Sequence, residues 1–180
     1  MAKSAKKKPE KVKQVVFSAL LEALNEIIGP DGKMSVIRFA GLSNKYTTVR
    51  PSLVNSLPRS DMIKLTTAMS RLLGFGSKAL LRETGRKFAV YLSPYGYSIE
   101  ALVDKLTKWI EGDWSITIKK DKDTFKFTIK NDPFHSASYI WAGFFEVAAT
   151  SSSQEGAKFI AGEVTSHEAG NTTMFELKKQ

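Results

Sequence analysis

The stretch GDWSITIKKDKDTFKFTIK, residues 112–130, decides the fold class because its hydrophobicity alternates with a period of two. Large apolar side chains occupy every second position on both sides of a polar turn: Trp114, Ile116, Ile118, Phe125, Phe127 and Ile129. This period is typical of strands that bury one face. Residues 121–123 lie between the two runs and predict a turn, so the stretch is predicted to be a β-hairpin.

Before this hairpin, apolar residues recur with helical spacing. The first helix is predicted from Val12 to Ile28 and ends at the turn cluster GPDG, residues 29–32, where proline and glycine cannot continue a helix. Further helices are predicted at residues 34–42, 60–72, 77–92 and 99–111, and an irregular segment at residues 43–58. Ser77 is the predicted N-cap of the helix at 77–92.

After the hairpin, residues 136–150 predict a helix that is apolar on nearly every side, and residues 159–165 and 172–177 predict a second hairpin. A helix of this kind must be covered on more than one side. The order of elements therefore predicts an α+β fold, in which an antiparallel sheet of two hairpins packs against several helices. The chain has 180 residues, and we expect a single domain at residues 12–180.

The formal net charge of +9 is concentrated at the N-terminus. Residues 1–13 hold six lysines against one acid, Glu10, and so carry +5. We predict a basic, disordered tail at residues 1–11, which is either a solvated terminus or an arm that contacts nucleic acid, acidic protein or anionic lipid. No export signal follows the tail, and the longest low-charge window, residues 134–153, is too polar to span a bilayer, so we expect a cytoplasmic protein.

Several chemistries are excluded or disfavoured. The sequence has no cysteine, which excludes thiolate metal sites, disulfides and a cysteine nucleophile. It has no phosphate-cradling loop and no nucleophile elbow, and its two histidines, His135 and His167, have no metal-site spacing. We therefore expect no metal, no cofactor and no catalytic residue, and we favour a protein that is not an enzyme.

Three segments resemble one family: ALNEIIGPDGKMSVIRFAGL, LLGFGSKALLRETGRKFAVYL and GEVTSHEAGNTTMFEL, residues 23–42, 72–92 and 162–177. Together they look like the 4-vinyl reductase-type, or hydrocarbon-binding, domain, which is related in fold to small subunits of the TRAPP complex. The resemblance covers about residues 12–178. It implies an α+β domain that is often dimeric and that encloses a hydrophobic ligand.

The sequence departs from that family at its metal site. Many members carry cysteines near the positions of Glu163 and Phe175 and before the last helix. Here the corresponding positions read Ser166, Thr173 and NDPFHSAS, residues 131–138. The family's zinc is therefore not expected in this chain.

The sequence leads to a non-catalytic binding module for a hydrophobic small molecule, either an aromatic, a lipid-like chain or a tetrapyrrole. Nine residues are predicted to contact the ligand, six aromatics in the wall and three that meet a carboxylate: Phe88, Tyr91, Trp109, Tyr139, Trp141, Phe144, Arg82, Arg86 and His135. We expect a homodimer. The alternatives are an assembly subunit that acts through apolar helix faces and an accessory factor in tetrapyrrole vinyl reduction.

Overall fold

A computed structural model of the chain describes residues 10–73, 78–93, 96–153 and 156–180. The helices in these residues are α1 Gln14–Phe39, α2 Arg59–Leu73, α3 Lys78–Leu92, α4 Ile99–Trp109 and α5 Tyr139–Ser152, with a 3-10 turn at His135–Ala137. The strands are β1 Lys11–Lys13, β2 Ser56–Pro58, β3 Ser115–Asp121, β4 Thr124–Lys130, β5 Phe159–Ala161, β6 Thr165–His167 and β7 Thr172–Lys179. The predicted α+β class and the order of helices and hairpins are confirmed.

The main sheet is antiparallel and has the order β3-β4-β7-β5, with β6 also paired to β7. The predicted first hairpin is present, and Ser115 lies opposite Lys130. The first arm of the predicted second hairpin is divided into β5 and β6, and both pair with β7. Between them, the Gly162 amide donates to the Glu176 carbonyl at 2.8 Å, so the backbone stays beside β7 while the regular pairing is interrupted.

The inner face of the sheet packs on α5. Phe127 of β4 lies opposite Phe175 of β7, and their rings stack with centroids 4.8 Å apart. The ring of Phe145 on α5 lies 4.4 Å from that of Phe127. These side chains are almost fully buried, so the alternation that predicted the hairpin also identifies the face that covers α5.

The break predicted at residues 29–32 lies inside α1. Gly29 has φ 73° and ψ 173°, a conformation outside the helical region, and Pro30 follows it. The helix begins at Gln14, two residues later than predicted, because residues 11–13 are extended and pair with β2. β1 starts at Lys11, the last residue of the predicted tail, and Glu10 forms an ion pair with Arg59 at 2.9 Å.

Helices α3 and α5 cross in backbone contact through two glycines. A Cβ atom placed on Gly85 would lie 2.0 Å from the carbonyl oxygen of Ile140, and one on Gly143 would lie 1.9 Å from that of Arg82. Contacts this short are impossible for real side chains, so both positions require glycine. The crossing packs α3 directly against α5, which in turn covers the sheet.

Two predictions lie outside the described residues, namely the N-cap at Ser77 and residues 1–9 of the basic tail. Among the helices that are described, none has both the length and the hydropathy needed to cross a membrane.

Candidate ligand-binding site

Three of the six predicted wall residues come together in the interior. Phe88 of α3 lies 5.0 Å from Phe144 of α5 between ring centroids, and Trp141 lies 5.9 Å from Phe144. Phe134 completes the group and stacks on Trp141 at 4.5 Å. We call Phe88, Phe134, Trp141 and Phe144 the ring cluster. All four side chains have no solvent exposure, so the ring cluster is packed core in this conformation rather than the wall of an open cavity.

The other three predicted aromatics lie apart from the ring cluster. Tyr91 is 43% exposed and donates its hydroxyl to Glu26 at 3.0 Å. Trp109 is half-buried under the ammonium group of Lys105, and Tyr139 is half-buried under that of Lys78. The helical periodicity placed each of them on a partly apolar face, but these faces do not meet.

The two predicted arginines meet a carboxylate of the protein itself. Glu146 of α5 accepts hydrogen bonds from Arg82, from the Arg86 Nε at 2.8 Å and from the Ala161 amide at 2.7 Å. Its side chain is nearly fully buried. Burial pushes the pKa of Glu146 upward, but the hydrogen bonds from the two arginines and from the Ala161 amide hold the pKa below its ordinary value of 4.5. The three elements α3, α5 and β5 are therefore joined at one charged carboxylate.

An open groove of about 280 Å³ lies beside this carboxylate, between α5 and β5. We call it the α5 groove. Its walls are mostly apolar, and two cations stand at its rim; the lining residues are Arg86, Glu146, Val147, Thr150, Ser151, Lys158, Phe159 and Ile160. The Arg86 side chain is 36% exposed. Within the described residues Lys158 makes no ion pair.

Most of this groove was not predicted from the sequence. Glu146 had a signal, because it is the only fixed charge in residues 134–153. A lone carboxylate on a buried helix must be paired, and the arginines on the facing helix were available. Nothing in the sequence indicated that Lys158 and Ile160 would lie beside α5, because that position depends on the tertiary structure.

His135 lies in a different place, at a polar cavity of about 440 Å³. This cavity is lined in part by Arg59, Asp113 and Asp132, together with His135. The carboxylate of Asp132 accepts bonds from the Trp141 indole at 2.7 Å, from the Phe134 amide at 2.7 Å and from the Thr173 hydroxyl at 2.6 Å. Burial raises the pKa of Asp132 above its ordinary value of 3.8, although these bonds act in the opposite direction.

Asp132 therefore fixes the ring cluster to β7, which is a structural role. The Nδ1 atom of His135 is buried and has no hydrogen-bond partner. A ligand in the cavity cannot reach an atom that has no accessible surface, so His135 is not placed to meet a ligand carboxylate through Nδ1. Among the described residues, no group of three histidine, aspartate or glutamate side chains is arranged to hold a metal ion.

Comparison with known proteins identifies the fold. No family model matches the sequence, and no curated protein matches it. Twenty-six solved chains match its structure, and H-NOX domains are among them. An oxygen-binding H-NOX domain related to soluble guanylate cyclases has a TM-score of 0.61 and 15% identity, over 94% of this chain and 95% of that chain.

Two further H-NOX structures agree with this likeness. A Cs H-NOX mutant has a TM-score of 0.64 and 14% identity, over 94% of this chain and 97% of that one. A mutant of the K. algicida H-NOX protein, in its Fe(II) unliganded form, has a TM-score of 0.59 and 14% identity, with the same coverage. At this identity the likeness establishes the fold alone. The chain has an H-NOX-like α+β fold over nearly its whole length.

The predicted resemblance to 4-vinyl reductase-type and TRAPP domains is wrong, because the structural neighbours are H-NOX domains. The segments that suggested it carry features that many packed α+β domains need. GPDG marks the break in α1, Gly85 permits a helix crossing, and residues 172–177 alternate as a strand. None of these features distinguishes one ligand-binding family from another.

One neighbour's description concerns haem redox potential and porphyrin distortion, so we tested whether the residues of this chain fit a haem. A haem needs a flat apolar slot and an axial ligand inside it. The rings of the ring cluster and of Phe127, Phe145 and Phe175 instead contact one another, with centroids 4.4 to 6.2 Å apart. Cysteine is absent, His167 is exposed on β6 and His135 lines the polar cavity. The described residues therefore offer neither an open apolar slot for a haem nor a histidine or cysteine ligand inside one.

Proposed function

We propose that this chain is a non-catalytic sensing domain that binds a small apolar acid in the α5 groove. The observation that carries the proposal is the combination of apolar walls with two rim cations, Arg86 and Lys158, beside the shared carboxylate of Glu146. The H-NOX-like fold supports a binding role by analogy, because one structural neighbour is described as oxygen-binding.

The size and lining of the groove define the class of ligand. At about 280 Å³ it is slightly smaller than the usual range for drug-sized ligands, which begins near 300 Å³. The apolar walls of Val147 and Ile160 favour an alkyl chain or a single aromatic ring. A carboxylate at the rim would form charge-assisted hydrogen bonds with Arg86 and Lys158.

The geometry also supplies a way to report binding. Arg86 divides its guanidinium between Glu146 and Glu83. A ligand carboxylate that takes hydrogen bonds from Arg86 leaves Glu146 with Arg82 and the Ala161 amide. Because Arg86 lies on α3 and Glu146 on α5, this exchange changes the contact between the two helices, and it does so without any covalent step.

NMR titration of the chain with octanoate and phenylacetate tests the proposal. We expect saturable shifts of the Val147, Ile160 and Ala161 amides, and weaker binding of octanol because it lacks the carboxylate. Lys158→Gln should weaken octanoate binding about fivefold, the value of a partly exposed ion pair. Lys130→Gln, which removes the charge of an exposed lysine on β4 away from the groove, is the matched control and should bind octanoate normally.

The experiment tests the location of the binding site and the role of the rim cations separately. Val147→Trp fills the groove, so unchanged octanoate binding by this variant contradicts the location. Equal binding of octanol and octanoate contradicts the role of the rim cations. The absence of saturable shifts with both acids contradicts the proposed function as a whole.

A further inference from the structure

The loop that precedes β2 presents two aliphatic side chains to solvent. Leu53 is 58% exposed and Val54 is 85% exposed, the latter being the highest value among the large apolar residues described. Covering two neighbouring aliphatic side chains would be favourable, so this pair is a candidate contact surface. We call residues 51–55 the apolar tip.

The conformation of the apolar tip is defined by hydrogen bonds. The Ser52 hydroxyl accepts from the amides of Val54 at 3.2 Å and Asn55 at 3.0 Å. The Val15 amide donates to the Ser52 carbonyl, and the Gln14 amide donates to the Asn55 carbonyl, both at 3.0 Å. The tip is therefore anchored to the first turn of α1, and Leu53 and Val54 project from a fixed base.

Basic residues lie just before the tip in the chain and on β1, the strand that pairs with β2. The ammonium group of Lys13 donates to the Val54 carbonyl at 3.3 Å, and Arg50 and Lys11 are exposed nearby in the chain and on the paired strand. Within the described residues neither Arg50 nor Lys11 forms an ion pair.

No acidic residue of the neighbouring sequence offsets this charge. Residues 32–60 contain no acid, and Glu10 is paired with Arg59.

We propose that the apolar tip and its cations dock on an anionic lipid surface, with Leu53 and Val54 inserted at the interface and Lys11, Lys13 and Arg50 facing the head groups. Shallow insertion of aliphatic side chains and attraction of basic residues to anionic lipid are the two contributions that peripheral membrane binding combines. A nucleic acid would use the cations but not the tip, because aliphatic side chains offer no planar face on which a base can stack.

Sedimentation with vesicles tests this inference. We expect the full chain to bind vesicles of phosphatidylcholine and phosphatidylserine in a 70:30 ratio far better than pure phosphatidylcholine, and to be released by high salt. L53S/V54S should weaken binding to the anionic vesicles by at least about tenfold, because both aliphatic side chains lose their contact with lipid. R50Q/K11Q should weaken it by a similar factor.

The matched control is L72S/V90S, which removes the same two residue types from positions that are 45% and 51% exposed elsewhere. It should bind the anionic vesicles like the parent chain, and circular dichroism checks that each variant is folded. Equal binding to both vesicle types, or full binding by L53S/V54S, overturns the inference. So does tight binding of a DNA duplex that releases the chain from vesicles and is unaffected by L53S/V54S.

Discussion

Glu146 shows how one buried charge can organise a helix that is otherwise apolar. It is 3% exposed and accepts from two arginines and one backbone amide. Removing the charge while keeping the shape leaves Arg82 and Arg86 without their common partner. We expect Glu146→Gln to lower the free energy of unfolding by about 2 to 3 kcal/mol, the range for hydrogen bonds to charged groups, as measured by urea denaturation at pH 7.

The same variant has a defined pH dependence. The folded pKa of Glu146 is held below its ordinary value of 4.5, so its ionised form stabilises the folded state at pH values above 4.5. This contribution is lost as the pH falls from 4.5 through the lower folded pKa. The difference between Glu146→Gln and the parent chain should therefore shrink in acid. Glu83→Gln, which removes the exposed partner of Arg86, is the control and should cost less than about 1 kcal/mol.

At the residue scale, the sequence identified side chains that face the interior, whereas their role in binding a ligand stays a prediction. Phe88, Trp141 and Phe144 were predicted to share one wall, and the structure brings them together. Periodicity shows which side chains face inward, but the space that remains between them depends on the separation of the helices. That separation depends on glycines and rotamers, which a hydrophobic pattern does not contain.

At the scale of elements, the crossing of α3 and α5 depends on two missing side chains. Alanine at Gly85 or Gly143 would normally stabilise a helix by up to about 1 kcal/mol. Here the added methyl group would meet a backbone carbonyl at about 2 Å, and backbone cannot move aside cheaply. We expect Gly85→Ala and Gly143→Ala each to destabilise the fold by about 3 kcal/mol or more, measured by thermal unfolding.

The control for this prediction is Gly162→Ala. A Cβ atom at Gly162 would lie 3.8 Å from the Glu176 carbonyl oxygen, an ordinary van der Waals distance. Its effect on stability should stay within about 0.5 kcal/mol. If Gly85→Ala and Gly143→Ala are both as stable as the parent chain, the two helices do not approach this closely.

The elements themselves could mostly be predicted. The hairpin at residues 112–130, the break at Gly29 and the helix ranges all follow from period and turn chemistry. The short strands β1 and β2 could not be predicted, because three residues carry too little pattern and their pairing joins segments about 45 residues apart. The division between β5 and β6 was missed for a similar reason, since it depends on how each segment meets β7.

At the scale of the whole molecule, the fold and the interior give different expectations for haem. Structural neighbours include domains whose descriptions concern haem, whereas the described interior here is filled by aromatic rings. We expect that an equimolar mixture of the chain with hemin keeps the absorption spectrum of free hemin. A sharp, shifted Soret band with one haem retained per chain after gel filtration would contradict this and would show that α3 and α5 separate to admit the group.

The predicted homodimer and the predicted cytoplasmic location remain predictions. The partner of the basic residues is also a question about the whole molecule. It depends on the surface that β1 and the apolar tip form together. The sequence showed the excess of charge but not its neighbours. The pairing of Lys13 with Ser56 on the adjacent strand places Lys13 close to the apolar tip.

The position of β7 in the sheet has a consequence for how the protein is made. β7 pairs with β4, β5 and β6, and it is synthesised after all three. Until residues 172–179 leave the ribosome, these partners have unpaired edges and the apolar face of α5 is only partly covered. The β3–β4 hairpin can pair before this point, but completion of the sheet should be a late event that waits for β7.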